Sequence, residues 1–373
     1  MLTQINLQTN FGGGEVYTAF FCRALSALDV PTKLLIHPHA IFWQELKLPK
    51  NTTLVKVDPK SLVDSISSKD TWILGHSALP PSVLKARGNR LKTAIAHLPR
   101  QVRDPGSYRK HDIVFPVSIR VQQELKYDNI PTWDEPLYGV ADLSARKKDF
   151  VIRKTSRYDW DKRKVRDLLL GKMEPFVQPL LSKPKFVKKP GITLGIVSRI
   201  TPIKQFSLLF SLLSKVLSQY PQFNLEIFGS GGYASIRDLR KALNPMHDRV
   251  RFWGQQKDVA LVYSHLDYLM TGLPEMEALG LNVIEAQVCG TPVLAPNNLP
   301  FTETILDEKT GFLYTDPRED SGENFEKLLN KILSLTKKIN PNSQTQHLEK
   351  FAMSSFTNRI KDIVDWVKKE GYL

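Results

Sequence analysis

Short apolar runs alternate with segments of helical period along most of the chain, and few folds accept that pattern. Residues 192–198 form an apolar run suited to a strand buried on both faces. Leu209, Leu212, Leu213, Val216 and Leu217 then recur at helical spacing on one stripe. Further strands are expected at 225–228, 250–253, 267–270 and 292–295, with helices at 234–243, 257–265 and from about 282. The first half repeats the alternation: strands at 2–7, 32–36, 53–57, 71–74, 92–96 and 113–115, a helix over 15–28, and a helix capped by Ser118. Strands separated by helices imply parallel sheets covered on both faces. The expected fold class is therefore α/β, with two doubly wound Rossmann-like domains facing across a cleft.

Composition narrows the class. The 373 residues exceed one ordinary core and suit two. A hydrophobic content of 42% excludes a largely disordered chain. No apolar run reaches the ~18 residues of a spanning helix. The N-terminus has no basic region followed by an apolar core, which argues against a signal peptide. Two cysteines, Cys22 and Cys289, make no disulfide framework and point to a reducing compartment. No His/Cys/Asp cluster has metal-ligand spacing and no Asp-x-Asp occurs, so neither a metal nor another cofactor is expected.

The net charge of +14 is unevenly placed. Residues 1–140 carry 17 basic and 12 acidic side chains, residues 141–190 carry 15 and 6, and residues 191–373 carry 20 of each. The excess peaks in a 50-residue segment whose interspersed acids and apolar triplets, such as Leu168-Leu169-Leu170, suggest folded, partly helical structure. Its candidate partners are nucleic acid, an anionic membrane surface or an acidic substrate. No nucleic-acid-binding pattern accompanies it, which makes the first the weakest.

Three stretches carry chemistry. The first runs from Pro274 to Ala295 and places Glu277 on a loop and Glu285 eight residues on, just inside a helix. Gly280 lets the backbone approach a ligand, and the N–H groups of Leu281, Asn282 and Val283 open the helix as an anion site. The second, Gly195 to Lys204, puts Arg199 and Lys204 on a loop after a strand, where two fixed cations can meet charge developing on a phosphate. The third, Asn10-Phe11-Gly12-Gly13-Gly14, is a glycine-rich strand-to-helix turn without the spacing of a Walker or dinucleotide loop. His76 and His97 stand at strand ends of the first half.

The segment from Glu277 to Val293 resembles the Glu-x7-Glu signature of the retaining, GT-B-fold glycosyltransferases of family 4 (glycosyl transferases group 1). It departs at Ala278, Leu279 and Asn282, where that family commonly has Gly, Phe and Pro. The stretch containing Arg199 and Lys204 resembles the same family's strand-loop-helix. The resemblance implies a hexosyltransferase-type enzyme that uses a nucleotide-diphosphate sugar without a metal. Glu277 and His97 would face the transferred sugar and Arg199 and Lys204 the diphosphate. Glu285 would take the ribose, with Gly13, Gly14, Gly229, Ser230, Gly254, Gly280, Leu281 and Asn282 also lining the donor. It further implies an acceptor-side domain over 1–187 carrying the basic segment, a nucleotide-sugar domain over 188–352, and a helix over 353–373 returning to the first. The acceptor would be a glycan, lipid-linked or other cell-envelope acceptor in polysaccharide biosynthesis, possible anionic character included, with the enzyme cytoplasmic or peripheral at the membrane. The alternatives are a sugar-nucleotide epimerase or hydrolase on the same scaffold and a basic nucleic-acid-binding protein.

Overall fold

The structure, a computed structural model, describes every residue except Asn10, Arg87, Pro105, 145–150, 162–163 and 178–183. It divides into two compact units, Met1–Asp142 with Glu349–Leu373, and Leu143–Leu348. The first holds strands β1 (Leu2–Asn6), β2 (Thr32–Ile36), β3 (Thr52–Lys56), β4 (Trp72–Gly75), β5 (Leu91–Ala96) and β6 (Ile113–Pro116), in the order β3-β2-β1-β4-β5-β6. The second holds β7 (Ile192–Val197), β8 (Phe223–Phe228), β9 (Val250–Gly254), β10 (Tyr268–Met270), β11 (Val293–Pro296) and β12 (Gly311–Tyr314), in the order β12-β11-β10-β7-β8-β9. Neighbouring strands are parallel throughout. Both units are Rossmann-like, and their strand orders correspond position for position.

Burial explains the strands. In the second unit, Leu194, Ile196, Leu225 and Ile227 cluster with Phe210 and Leu213 of helix Phe206–Ser218 and with Phe325 and Leu329 of helix Glu323–Ser334. Leu269, Val293 and Ala295 cluster with Val262 of helix Val259–Ser264 and with Val283 and Ala286 of helix Leu281–Val288. In the first unit β1 is wholly buried although it carries polar side chains. Gln4 Nε2 donates to Thr32 Oγ1 at 3.0 Å and Asn6 Nδ2 to Thr18 Oγ1 at 3.0 Å, so these polar groups are partnered.

The chain reverses its direction of strand addition between β1 and β4, and again between β7 and β10. Loops leaving adjacent strands diverge there, and open parallel sheets bind ligands at that point.

The unit boundary falls at 142/143, not at the expected 187/188. Segment 151–161 packs on the second unit because β9 is an edge strand with unpaired backbone groups on its outer side. Thr155 N–H donates to the Trp253 carbonyl at 2.8 Å, and Asp159 N–H to that of Gly231 at 2.9 Å. From Leu143 on, the described part of the basic segment therefore belongs to the second unit and not to the first. Its helical part is Val165–Val177, while Ala145, Arg146, Lys147, Lys148, Lys162 and Arg163 lie outside the described residues. The second boundary is 348/349 in place of 352/353. Helix Met353–Lys369 buries Ile360, Ile363, Val364 and Val367 in the first unit, and Phe356 meets the Tyr17 ring edge-on at 5.3 Å.

Candidate functional site

The reversal point of the second unit gathers two of the residues singled out in the sequence. Lys204 closes a short 3-10 turn, Pro202–Lys204, on the loop after β7. Glu277 lies on the loop after β10, and the Lys204 Nζ donates to its Oε2. The loops can meet this closely because Gly272 has no side chain: a Cβ there would collide with the Lys204 carbonyl oxygen. Arg199 is exposed on the same β7 loop and forms no ion pair among the described residues. A carboxylate and two cations thus share the place where the strand order reverses.

Gly280 ends the β10 loop in the left-handed region, with φ of 82°, and caps helix Leu281–Val288. The Val283 N–H donates to the Gly280 carbonyl at 2.9 Å, so of the three expected donors only Leu281 and Asn282 have N–H groups without a partner among the described residues. Asn282 Nδ2 donates to the Val197 carbonyl at 3.2 Å and ties this helix to the end of β7. Inside the helix, Glu285 Oε2 accepts from the Tyr263 hydroxyl at 3.0 Å. Burial pushes the Glu285 carboxyl up to about 7, opposed by that hydrogen bond.

Gly229, Ser230 and Gly254 stand at the ends of β8 and β9, but the chain's own residues 155–159 lie over them. Ser230 is buried and its hydroxyl donates to Asp159 Oδ1 at 2.5 Å. Gly229 N–H donates to the Gly254 carbonyl at 2.9 Å, and Gly231 N–H to that of Arg157 at 3.0 Å. A Cβ on Gly254, whose φ is 73°, would meet Thr155 and Ser156. These donor candidates are occupied by internal bonds, which sequence reading missed because nothing in residues 151–161 marks them as a cover for distant strand ends.

In the first unit, Gly13 and Gly14 open helix Gly13–Ala27, the element that follows β1, and no described atom lies within 4 Å of where a Gly14 Cβ would sit. Asn10 of the same loop lies outside the described residues. His97 follows β5, with the Tyr17 ring edge-on at 4.7 Å and the His76 ring stacked at 6.1 Å. Desolvation pushes the His97 imidazole down to about 4, so it is neutral near pH 7. Its Nε2 is buried with no hydrogen-bond partner among the described residues, an atom suited to a ligand hydroxyl. His76 is held by Gln4 Oε1 at 2.8 Å, a structural contact.

Sequence reading also passed over Tyr263, which carries no motif, and over Arg318. The Arg318 guanidinium pairs with Glu275 and Asp316 and braces the loop bearing Glu277.

Residues 178–346 match the family model described as glycosyl transferases group 1. An uncharacterized glycosyltransferase of Haemophilus influenzae is 34% identical over 137 residues, covering 36% of this chain and 38% of that protein. An alpha-monoglucosyldiacylglycerol synthase of Streptococcus pneumoniae is 26% identical over 174 residues, 46% of this chain and 38% of that protein. The chain thus spans well under half the length of these curated relatives. Among solved structures, Anabaena HepE in complex with UDP superposes with a TM-score of 0.69 at 16% identity, over 98% of this chain and 99% of that one, which shows a shared fold.

Proposed function

We propose that this chain, whose residues 178–346 match the model described as glycosyl transferases group 1, moves a sugar from a nucleotide-diphosphate sugar to a glycan or lipid-linked acceptor. The observation that carries this reading is the meeting of Lys204 and Glu277 at the strand-order reversal, beside Arg199 and the start of helix Leu281–Val288. In this reading the Glu285 carboxylate accepts the ribose hydroxyls. Lys204, Arg199 and the Leu281 N–H face the diphosphate, and Glu277 accepts hydroxyls of the donor sugar. The cations stabilise the charge that develops as the bond from the anomeric carbon to the phosphate oxygen breaks, and do so in place of a metal. The acceptor oxygen forms its bond to that carbon on the departing side, and its proton passes to the leaving phosphate, so configuration is retained. His97, Gly13 and Gly14 are the proposed ligand-facing residues of the first unit, taken by itself.

A thermal-shift panel of nucleotide sugars tests the donor: a ligand at 100 times its dissociation constant stabilises the protein by about 2.7 kcal/mol. Product anomeric configuration, read by proton coupling, tests retention. A donor turned over to an epimer or hydrolysed without acceptor would favour the alternative chemistry.

The proposed acceptor or its setting is anionic, with the protein peripheral at a membrane on the cytoplasmic side. Helix Val165–Val177 supports this, because its amphipathicity is inverted. Its acids face the protein: Asp167 is 3% exposed, and Glu174 accepts from Ser156 and Trp160. Its apolar stripe faces out, with Val165 74%, Leu169 57%, Met173 59% and Phe176 80% exposed. Lys164, Arg166 and Lys172 are exposed beside it. An apolar stripe rimmed by cations suits the headgroup–acyl boundary of an anionic leaflet. No described helix is long and apolar enough to cross a membrane.

A further inference from the structure

A second cationic site lies away from the reversal point, at the outer edge of the second sheet. It is a cavity of about 430 Å³ between β9, helix Tyr233–Ala242 and segments 154–157 and 184–185. In the sheet, β7 and β8 separate β9 from β10, whose loop carries Glu277. Lys154, Arg157, Lys185, Arg240, His247 and Arg251 line the cavity, and no carboxylate does among the described residues. The rest of its wall is apolar apart from Asn244 and includes Leu243, Val250 and the edges of Phe252 and Trp253.

Among these cations, Arg251 is neutralised within the chain. Its Nε donates to Glu226 Oε1 at 2.8 Å and Oε2 at 3.0 Å. Lys154, Arg157, Lys185 and Arg240 form no ion pair among the described residues. They are close enough to act on one another: desolvation, followed by the Arg157 and Arg240 charges, lowers the Lys154 ammonium from its ordinary range. Lys154, Lys185 and Arg240 are exposed and Arg157 half-buried, and an anion entering the space they share would relieve their mutual repulsion. Two guanidinium forks and two ammoniums match the oxygens of a phosphate, and Leu243 and Val250 leave an apolar border for the organic body attached to it. The volume is that of a small-molecule site.

We propose that this cavity binds an organic phosphate, a phosphate ester on a glycerol or sugar, at a site separate from the nucleotide-sugar site. The inference does not rest on the transferase reading. A free ester and a lipid headgroup present the same chemistry, so the test has an arm for each. In the first, sn-glycerol 3-phosphate is titrated calorimetrically into the full chain, with Trp253 fluorescence as a second readout. In the other, the chain is sedimented with phosphatidylglycerol vesicles and with phosphatidylcholine vesicles. The expected result is saturable binding of the soluble ester, the phosphatidylglycerol vesicles or both. It weakens at least tenfold in Lys154→Ala/Arg157→Ala/Arg240→Ala and is unchanged in Arg199→Ala. Binding of the ester alone assigns a soluble ligand, and vesicle binding that needs these three residues assigns a headgroup. The milder pair Lys154→Gln/Arg240→Gln repeats the test should the triple variant misfold, as judged by circular dichroism. No binding in either arm, binding that the cavity variants keep in every arm where it occurs, or loss in Arg199→Ala overturns the proposal.

Discussion

Lys204 and Glu277, 73 residues apart in sequence, form an ion pair where the strand order of the second unit reverses. Both side chains are largely shielded, at 26% and 16% exposed. In the proposed chemistry the pair holds both groups until a donor separates their tasks, the ammonium to phosphate and the carboxylate to sugar. Lys204→Ala and Glu277→Gln should each lower kcat by about 10²–10³, the usual cost of losing one preorganised transition-state contact. The double variant should lose less than the product of the two, since each single change already breaks the shared contact. Initial rates on the donor found by the thermal-shift panel measure this. Undiminished transfer by Glu277→Gln would remove Glu277 from the site.

Glu285 should make both stability and donor affinity depend on pH, in opposite directions. Its carboxyl releases its proton near 7 in the fold, against an ordinary value of 4.5. Between those values the unfolded chain holds fewer protons than the folded one, so stability falls as pH rises through this window and is level on either side. Glu285→Gln should flatten that slope in melting curves taken from pH 4.5 to 7. Ribose hydroxyls donate to the ionised carboxylate, so nucleotide affinity should rise with pH up to about 7 and then level. A pH-independent dissociation constant would take the ribose away from Glu285.

His97 gives the opposite stability slope. Its imidazole titrates near 4 in the fold and at about 6.5 in the open, so the unfolded chain binds the extra proton first. Stability should be full above pH 6.5 and fall as pH drops towards 4. His76, also depressed by burial, contributes with the same sign. His97→Gln should remove part of the acid-side loss, read by denaturant midpoints, and leave a remainder to which His76 and His111, the latter also lowered by burial, contribute.

The Asn282 side chain performs a task that proline could not. Asn282→Ala should cost about 1 kcal/mol, the net worth of its hydrogen bond to Val197. That corresponds to about 2–4 °C in a unit of this size. Asn282→Pro should cost the same and no more, because a first-turn position has no intrahelical N–H bond to lose. A much larger loss in the proline variant would mean that the Asn282 N–H itself is in use.

These sites differ in how far the sequence discloses them. The strands and the Glu277–Glu285 loop are legible because burial on both faces demands apolar runs and a helix start demands its glycine. Lys204 is legible as a loop cation, but its pairing with Glu277 depends on strand order, which no local pattern encodes. Tyr263 beneath Glu285 and Asp159 upon Ser230 are long-range contacts of the same kind. The unit boundary departs from the expected one because residues 151–161 satisfy an exposed sheet edge through backbone bonds, which leave no mark in side-chain composition. β12 and helix Glu323–Ser334 follow the same alternation but lie beyond the last chemistry-bearing motif.

The inverted helix Val165–Val177 yields the sharpest distinction between a solvated basic face and a membrane contact. If charge alone draws the segment to a leaflet, each basic residue contributes about 1 kcal/mol near the surface and removing apolar groups changes little. If the stripe also inserts, burying Leu169 and Phe176 adds about 1.5–3 kcal/mol for each side chain. Sedimentation with phosphatidylglycerol vesicles should therefore fall at least tenfold in Leu169→Ser/Phe176→Ser at constant net charge. Raising the salt from about 50 to about 500 mM should weaken the wild type and leave a residual that this variant lacks. Because both side chains point away from the protein, the substitutions should leave the melting temperature unchanged or raised, unlike core substitutions. Equal partition of wild type and variant onto neutral and anionic vesicles would return the stripe to a contact with another protein surface.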